Sequence, residues 1–178
     1  RLRPLTETTP KPLLPLWGTP VIEHTVNLLS NWGITDILIN VHHIPEKFQK
    51  ALSRKMPVRL HFSHEPEILG TGGALRGASW FLPDSEPFWI INGDIAADVS
   101  YKPFLNTCRQ STEKPMAVLW MTDKQGPRTV IMSENKIKFF RGGKPGTKNC
   151  FNFCGLHLVS PEIINFIPKG FSSIITAY

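Results

Sequence analysis

Cysteine, long apolar runs and sequence repeats are what this chain has least of. Cys108, Cys150 and Cys154 are an odd number of cysteines at spacings that match no zinc motif, so they read as reduced thiols of a cytoplasmic protein rather than a disulfide framework. No apolar run approaches the roughly 18 residues of a membrane span, and no secretory pattern is visible, so no membrane role is expected. No internal repeat, low-complexity domain or linker divides the chain. Its 178 residues, 41% hydrophobic, suffice for one domain with a sizeable core. Acidic residues are the minority, 14 against 20 Lys and Arg, giving a formal charge of +6. That excess suits nucleic acid, a membrane surface or a small anion. The cations are dispersed apart from the amino-terminal loop and the 136–148 stretch, and no basic face with stacking aromatics is seen. A small anionic partner is therefore expected, and no nucleic acid.

The opening stretch carries Arg1, Arg3 and Lys11 among prolines at 4, 10, 12 and 15. Each proline fixes φ, so the cations are presented on a chain with little backbone entropy to lose, which suits a polyphosphate. Taken alone, the segment reads equally as a linker or a polyproline-type ligand. The residues after it favour a folded element. Leu13, Leu14 and Leu16 are apolar, Trp17 to Pro20 is a turn, and Val21 to Trp32 has the apolar spacing of a core helix.

Strand-like and helical patterns then alternate. Asp36 to Val41 is a strand, Pro45 to Arg54 a helix, Pro57 to Phe62 a strand and Gly72 to Trp80 a short helix. Pro87 to Ile91 is a buried strand, Tyr101 to Ser111 a helix and Met116 to Met121 a strand. This order predicts an α/β, Rossmann-like, doubly wound and mostly parallel mixed sheet, with ligands at the carboxyl ends of its strands. From about Pro127 the pattern changes to short strands at Thr129 to Met132, Lys136 to Phe140 and Phe151 to Val159, with a hairpin turn at Glu134-Asn135. Ser160 and Pro161 predict a helix start, with Ser160 as its cap.

Two further motifs carry chemistry. Glu65-Pro66-Glu67-Ile68-Leu69-Gly70-Thr71-Gly72-Gly73-Ala74-Leu75 comes after a strand and opens a helix, where glycines let backbone N–H groups approach a ligand. On its own such a stretch is more often a plain turn. Ile90-Ile91-Asn92-Gly93-Asp94 ends the most apolar strand, where α/β sheets place catalytic groups, although a carboxylate there also caps turns. Asp98 reads as a surface acid or cap. All six histidines read as structural or solvent-facing, because adjacent positions such as His42 and His43 point to opposite sides of a strand.

Arg1-Leu2-Arg3-Pro4-Leu5-Thr6, Pro10-Lys11-Pro12-Leu13 and Gly18-Thr19-Pro20-Val21-Ile22-Glu23, with the two motifs above, resemble the signature of sugar-1-phosphate nucleotidyltransferases, also called nucleotide-sugar pyrophosphorylases. Phe151-Asn152-Phe153-Cys154-Gly155-Leu156 is similar to a strand of their mannose-1-phosphate guanylyltransferase-like and amino-sugar uridylyltransferase-like members. The resemblance implies an enzyme that makes an NDP-sugar and pyrophosphate from an NTP and a sugar 1-phosphate. It implies Arg1 and Lys11 as the catalytic cations, Asp94 as a ligand of Mg²⁺, and Leu69, Gly70, Thr71 and Gly72 as the nucleoside site. Arg3 matches a less certain position. At the sugar end, Lys144, Asn152 and Gly155 are candidates, although the Glu that usually precedes such a lysine is absent and Asn152 reads equally as an outward strand residue. One domain is expected, residues 1–126 forming the nucleotide-binding half and 127–178 the sugar-phosphate half.

Relatives carry a Leu-Ala-Ala-Gly-x-Gly-Thr loop before the first arginine and a Trp-x-Asp-(Ile/Val)-Gly segment with a second metal carboxylate. Neither occurs in this sequence. The resemblance therefore implies a chain truncated at both ends, an incomplete metal site, and no transferase activity for these residues alone. The alternative is a catalytically silent nucleotide-sugar sensor or regulatory protein on the same fold. Residue patterns alone leave the base, the sugar and any homo-oligomer open.

Overall fold

The computed structural model describes residues 2–53, 56–124, 126, 129–141, 143 and 147–178. A short helix α1 (Leu5–Thr8) leads into a 3-10 turn at Lys11–Leu13. Strands β1 (Pro15–Leu16) and β2 (Thr19–Pro20) then pair antiparallel around Trp17 and Gly18. Helix α2 (Val21–Asn31) begins at once and buries Ile22, Thr25, Val26 and Leu29. It ends in a Schellman motif, with Gly33 N–H bonding Ser30 C=O at 2.9 Å and Ile34 N–H bonding Leu29 C=O at 3.1 Å.

Strand β3 (Asp36–Val41) occupies the predicted range and pairs in parallel with β4 (Arg59–His64), Asp36 opposite Arg59. Helix α3 (Pro45–Ala51) connects them. Side chains of α3, β3 and β4 pack with Leu13 and Ile22 into one core cluster, including Ile39, Val41 and Phe48. At the start of this pair Arg59 holds Asp36 with two bonds of 2.7 Å. This guanidinium, with Thr35 and His61 adding their own bonds, keeps the Asp36 carboxyl well below the usual range.

Helix α4 (Gly70–Gly77), strand β5 (Phe88–Ile91), helix α5 (Lys102–Gln110) and strand β6 (Ala117–Thr122) come next. A hairpin of β7 (Val130–Ser133) and β8 (Lys136–Phe139) succeeds them, turning at Glu134 and Asn135 as expected. Both turn residues have positive φ, the signature of a type I′ turn. The long strand β9 (Cys150–Val159) organises this half, pairing antiparallel with β5, β6 and β7.

Alternation along β9 sends Leu156 and Leu158 to one face, against Phe104 of α5, Trp32 and Trp89. Val159 goes to the other, against Phe88, Ile163 and Leu75 of α4. Helices therefore cover both faces, and burying each such side chain contributes about 1.5–3 kcal/mol. His157 shares the second face and bonds the Tyr178 hydroxyl; burial holds its imidazole at about 4 and raises the Tyr178 phenol.

The expected helix after Ser160 is instead a 3-10 run, Pro161–Phe166, and Ser160 makes no side-chain cap. Its backbone explains this: Ser160 N–H bonds Met116 C=O at 2.9 Å, which continues the β6 edge and leaves the side chain buried. A final helix α6 (Ile174–Ala177) is capped by the Ser173 hydroxyl, which accepts from Ile175 N–H at 3.3 Å. Among the described residues no helix is long and apolar enough to cross a membrane.

Candidate active site

Lys11 and Asp94 meet across 83 residues of chain, Lys11 Nζ donating to Asp94 Oδ2. Lys11 opens the 3-10 turn between Pro10 and Pro12, and buried Leu13 pins that turn to the core. Val21 N–H, at the start of α2, bonds Leu14 C=O at 3.1 Å. The proline-stiffened segment is thus a structured loop docked on α2.

Asp94 sits just beyond β5, whose pairing with β9 stops at Ile91 opposite Leu156. Asn92 N–H still bonds Gly155 C=O at 2.9 Å, Ile95 N–H turns back to Asn92 C=O at 3.3 Å, and Thr25 of α2 donates to Ile95 C=O at 2.9 Å. Between them Gly93 faces Pro12 and Ile22, where an added Cβ would lie in ordinary contact at 3.6 and 3.8 Å. The lysine and carboxylate loops therefore pack directly on each other and on the start of α2. The Lys11 and Asp94 side chains remain 50% and 34% exposed, open to a ligand.

Gly155 is drawn into this arrangement from the sugar-side candidates. It has φ +76° where β9 bulges against β6, and a Cβ there would fall 2.5 Å from Asn92 Nδ2 and 2.8 Å from Ile95 Cδ1. Only glycine lets the Asp94 loop come this close. Asn152 lies elsewhere: it is half-buried opposite Thr122, and a Cβ on Gly126 would sit 1.5 Å from its Nδ2. No described contact joins Asn152 to the Lys11–Asp94 pair. Arg1 and Lys144 lie outside the described residues.

Lys11 lines an open depression with Thr6, Asn40, His42, His43 and Phe48, at the carboxyl end of β3. Arg3 borders an adjoining hollow with Thr6, Glu7 and His43. His42 Nδ1 pairs with the Glu65 carbonyl at 2.8 Å, which ties the depression to the start of the glycine motif. Asp98 is exposed.

In that motif the close approach is made to the chain itself. Gly72 and Gly73 N–H both reach Ser172 C=O, at 2.9 and 3.3 Å, and Ser172 N–H returns to Leu69 C=O at 2.8 Å. Ile174 N–H donates to Thr71 Oγ1 at 3.0 Å. The Gly72 amide, expected at a nucleoside, is therefore used together with that of Gly73 in clasping α4 to the stretch that leads into α6.

Glu65 carried no assignment from sequence, yet it is 7% exposed beside this loop. Its Oε2 receives Leu69 N–H at 3.4 Å, while Oε1 is buried with no hydrogen-bond partner among the described residues. A buried acceptor with nothing to accept from marks a position for a donor. Thr25 was likewise missed as more than a core position. The only signal was a hydroxyl within an apolar helical stripe.

Magnesium is held by one or two carboxylates plus waters and substrate phosphates, so the exposed Asp94 carboxylate is an oxygen ligand of the kind it takes once Lys11 gives it up. Among the described residues no three His, Cys, Asp or Glu side chains converge as a self-sufficient metal cluster.

The signature of the family described as Nucleotidyl transferase matches residues 1–130. The chain belongs to that family. Mannose-1-phosphate guanyltransferase of Saccharomyces cerevisiae is 33% identical over 183 residues, covering 98% of this chain and 50% of its own length. The chain thus spans about half the length of the curated relatives it matches. Two solved structures share the nucleotidyl transferase fold. HddC from Yersinia pseudotuberculosis complexed with GMP-PN has a TM-score of 0.76 at 22% identity, covering 97% of this chain and 77% of that one. UDP-glucose pyrophosphorylase complexed with UDP-glucose has a TM-score of 0.75 at 16% identity, covering 99% and 80%.

Proposed function

We propose that this nucleotidyl transferase joins a sugar 1-phosphate to a nucleoside triphosphate, forming an NDP-sugar and releasing pyrophosphate. The observation that carries the reading is the convergence of Lys11 and Asp94 at the carboxyl end of β5, where an α/β sheet presents its chemistry. The relatives named mannose-1-phosphate guanyltransferase support the same reaction class.

A phosphate oxygen of the sugar 1-phosphate attacks the α-phosphorus in line. The bond from α-phosphorus to the bridging oxygen breaks, and pyrophosphate leaves with that electron pair. A phosphate monoester is already largely ionised near neutral pH, so no general base is needed and the protein's task is positioning and charge neutralisation. Lys11 swings from Asp94 to the triphosphate, and Arg1 serves the same charge. Mg²⁺ held by Asp94 would neutralise phosphate oxygens and orient the leaving group. The depression at the end of β3 admits the nucleotide beside Lys11. Leu69, Gly70, Thr71 and Gly72 border the nucleoside by groups other than the Gly72 amide and Thr71 hydroxyl, which residues 172–174 engage, and Lys144 and Asn152 border the sugar phosphate while Gly155 admits the Asp94 loop, so that residues 1–126 take the nucleotide and 127–178 the sugar. The setting is cytoplasmic, with neither membrane nor nucleic acid as partner.

Glu65 bears on the base. A carboxylate oxygen only accepts, so its buried Oε1 suits a base donor, whether the imino N–H of guanine or uracil or the amino group of guanine, adenine or cytosine. Guanine adds an amino donor beside the imino one and agrees with the relatives' names, so GTP is the proposed nucleotide. The test is a pyrophosphate-release screen of the full-length protein, all four NTPs crossed with a panel of sugar 1-phosphates. Release with GTP and a hexose 1-phosphate is expected. Nucleotide binding without release for any pair would support the silent sensor instead.

A further inference from the structure

We infer that Thr25 of α2 is a positioning residue that aims the Asp94 carboxylate, by holding the turn that carries it from the Ile95 carbonyl; the inference rests on the metal role proposed for Asp94. A threonine inside a helix ordinarily turns its hydroxyl back to the carbonyl one turn earlier. Thr25 instead donates to Ile95 C=O at 2.9 Å, across 70 residues. It is 5% exposed, so that hydroxyl has no water to fall back on.

The turn needs such a hold. Residues 92–100 form neither helix nor strand, and Asp94 itself is half-exposed. The stretch is pinned upstream by Asn92 N–H on Gly155 and downstream by Thr25 on Ile95, with Asp94 between the two anchors. The same helix fixes the Lys11 loop through Val21 N–H and Leu14 C=O. One rigid element therefore sets the separation of the two charged groups, with Gly93 facing Pro12 and Ile22 between them. Support of this kind decides whether a ligand group is held within fractions of an ångström of its working place.

Thr25→Val keeps the side chain's size and β-branching while deleting the donor, and Thr25→Ser keeps the donor. The measurement is the affinity of the full-length protein for the nucleoside triphosphate selected by the release screen, by fluorescence titration in EDTA and again in saturating magnesium. The ratio of the two affinities is the magnesium-dependent gain. Thr25→Val should reduce that gain about tenfold while leaving the metal-free affinity within about twofold of wild type, and Thr25→Ser should restore it. Thr25→Ala carries the same test where valine disturbs folding, which thermal melts report.

A gain that survives in Thr25→Val overturns the role of Thr25 alone. So does an equal fall in both affinities, or a serine variant no better than alanine, since either marks a merely structural residue. A wild type with no magnesium-dependent gain overturns the metal assignment of Asp94 and the role of Thr25 with it.

Discussion

Asp94→Asn should tighten the binding of metal-free nucleotide while weakening binding in magnesium, two effects of opposite sign in one variant. With no ligand present, Asp94 neutralises Lys11 and presents its negative charge to any incoming triphosphate. Two unit charges 4 Å apart interact by roughly 4 kcal/mol at an effective dielectric of 20 and roughly 1 kcal/mol in water. Side chains 50% and 34% exposed lie toward the aqueous limit, where the net worth of an ion pair is at most about 1 kcal/mol. Freeing Lys11 and removing the repulsion should therefore improve metal-free affinity by about 1 kcal/mol, roughly fivefold. The same energy bounds the change in folding stability, so the thermal midpoint should move little. With magnesium the variant lacks the proposed carboxylate ligand, and turnover should fall by about 10²-fold or more. Fluorescence titration of the nucleotide in EDTA and in magnesium, with pyrophosphate release alongside, reads all three quantities. If the variant loses affinity equally in both buffers, or keeps its full gain from magnesium, the reasoning about Lys11 and Asp94 is wrong.

Lys11→Ala removes the cation and should lower turnover by about 10²-fold with the fold retained, seen in release assays with circular dichroism as the control. Glu65→Gln replaces an acceptor-only group with one that also donates, and should cut the preference for GTP over ATP by about tenfold or more in competition binding; an unchanged preference would remove Glu65 from the base site. Gly73→Ala places a Cβ 2.5 Å from the Gly170 carbonyl oxygen and 2.8 Å from Leu69 Cβ, and should destabilise the protein by about 1–3 kcal/mol in urea denaturation. His157, held at about 4 against an ordinary 6.5, resists protonation that the unfolded chain accepts. Its contribution is therefore fully present above about pH 6.5 and is lost as pH falls toward about 4, at roughly 1.4 kcal/mol per pH unit between. Urea midpoints should track that slope in the wild type and not in His157→Gln.

Local chemistry made much of the framework readable. The stop after Trp32, the β-rich run Asp36–Val41 and the paired left-handed residues Glu134 and Asn135 are local choices of backbone conformation, and the structure places each where composition and spacing put it. Ser160 shows the limit of that reasoning. A serine before a proline is a sound helix start, but the backbone bond to Met116 comes from the residue before β6, more than forty positions away, and no pattern around Ser160 contains it.

The candidate site divides in the same way. Sequence alone determined which groups carry charge, which strand ends in Gly93-Asp94, and which stretch is stiffened by proline, because these are properties of covalent chemistry and nearest neighbours. Only the tertiary structure decided that Lys11 pairs with Asp94, that Gly155 is emptied of a side chain to admit Asn92, and that Ser172 occupies the amides of Gly72 and Gly73. It alone shows Thr25 reaching for Ile95 and Glu65 left with a buried oxygen. The physical reason is that hydrogen-bond satisfaction and close approach depend on which surfaces the packed core brings together, and those contacts span distances in the chain over which residue spacing carries no geometric information.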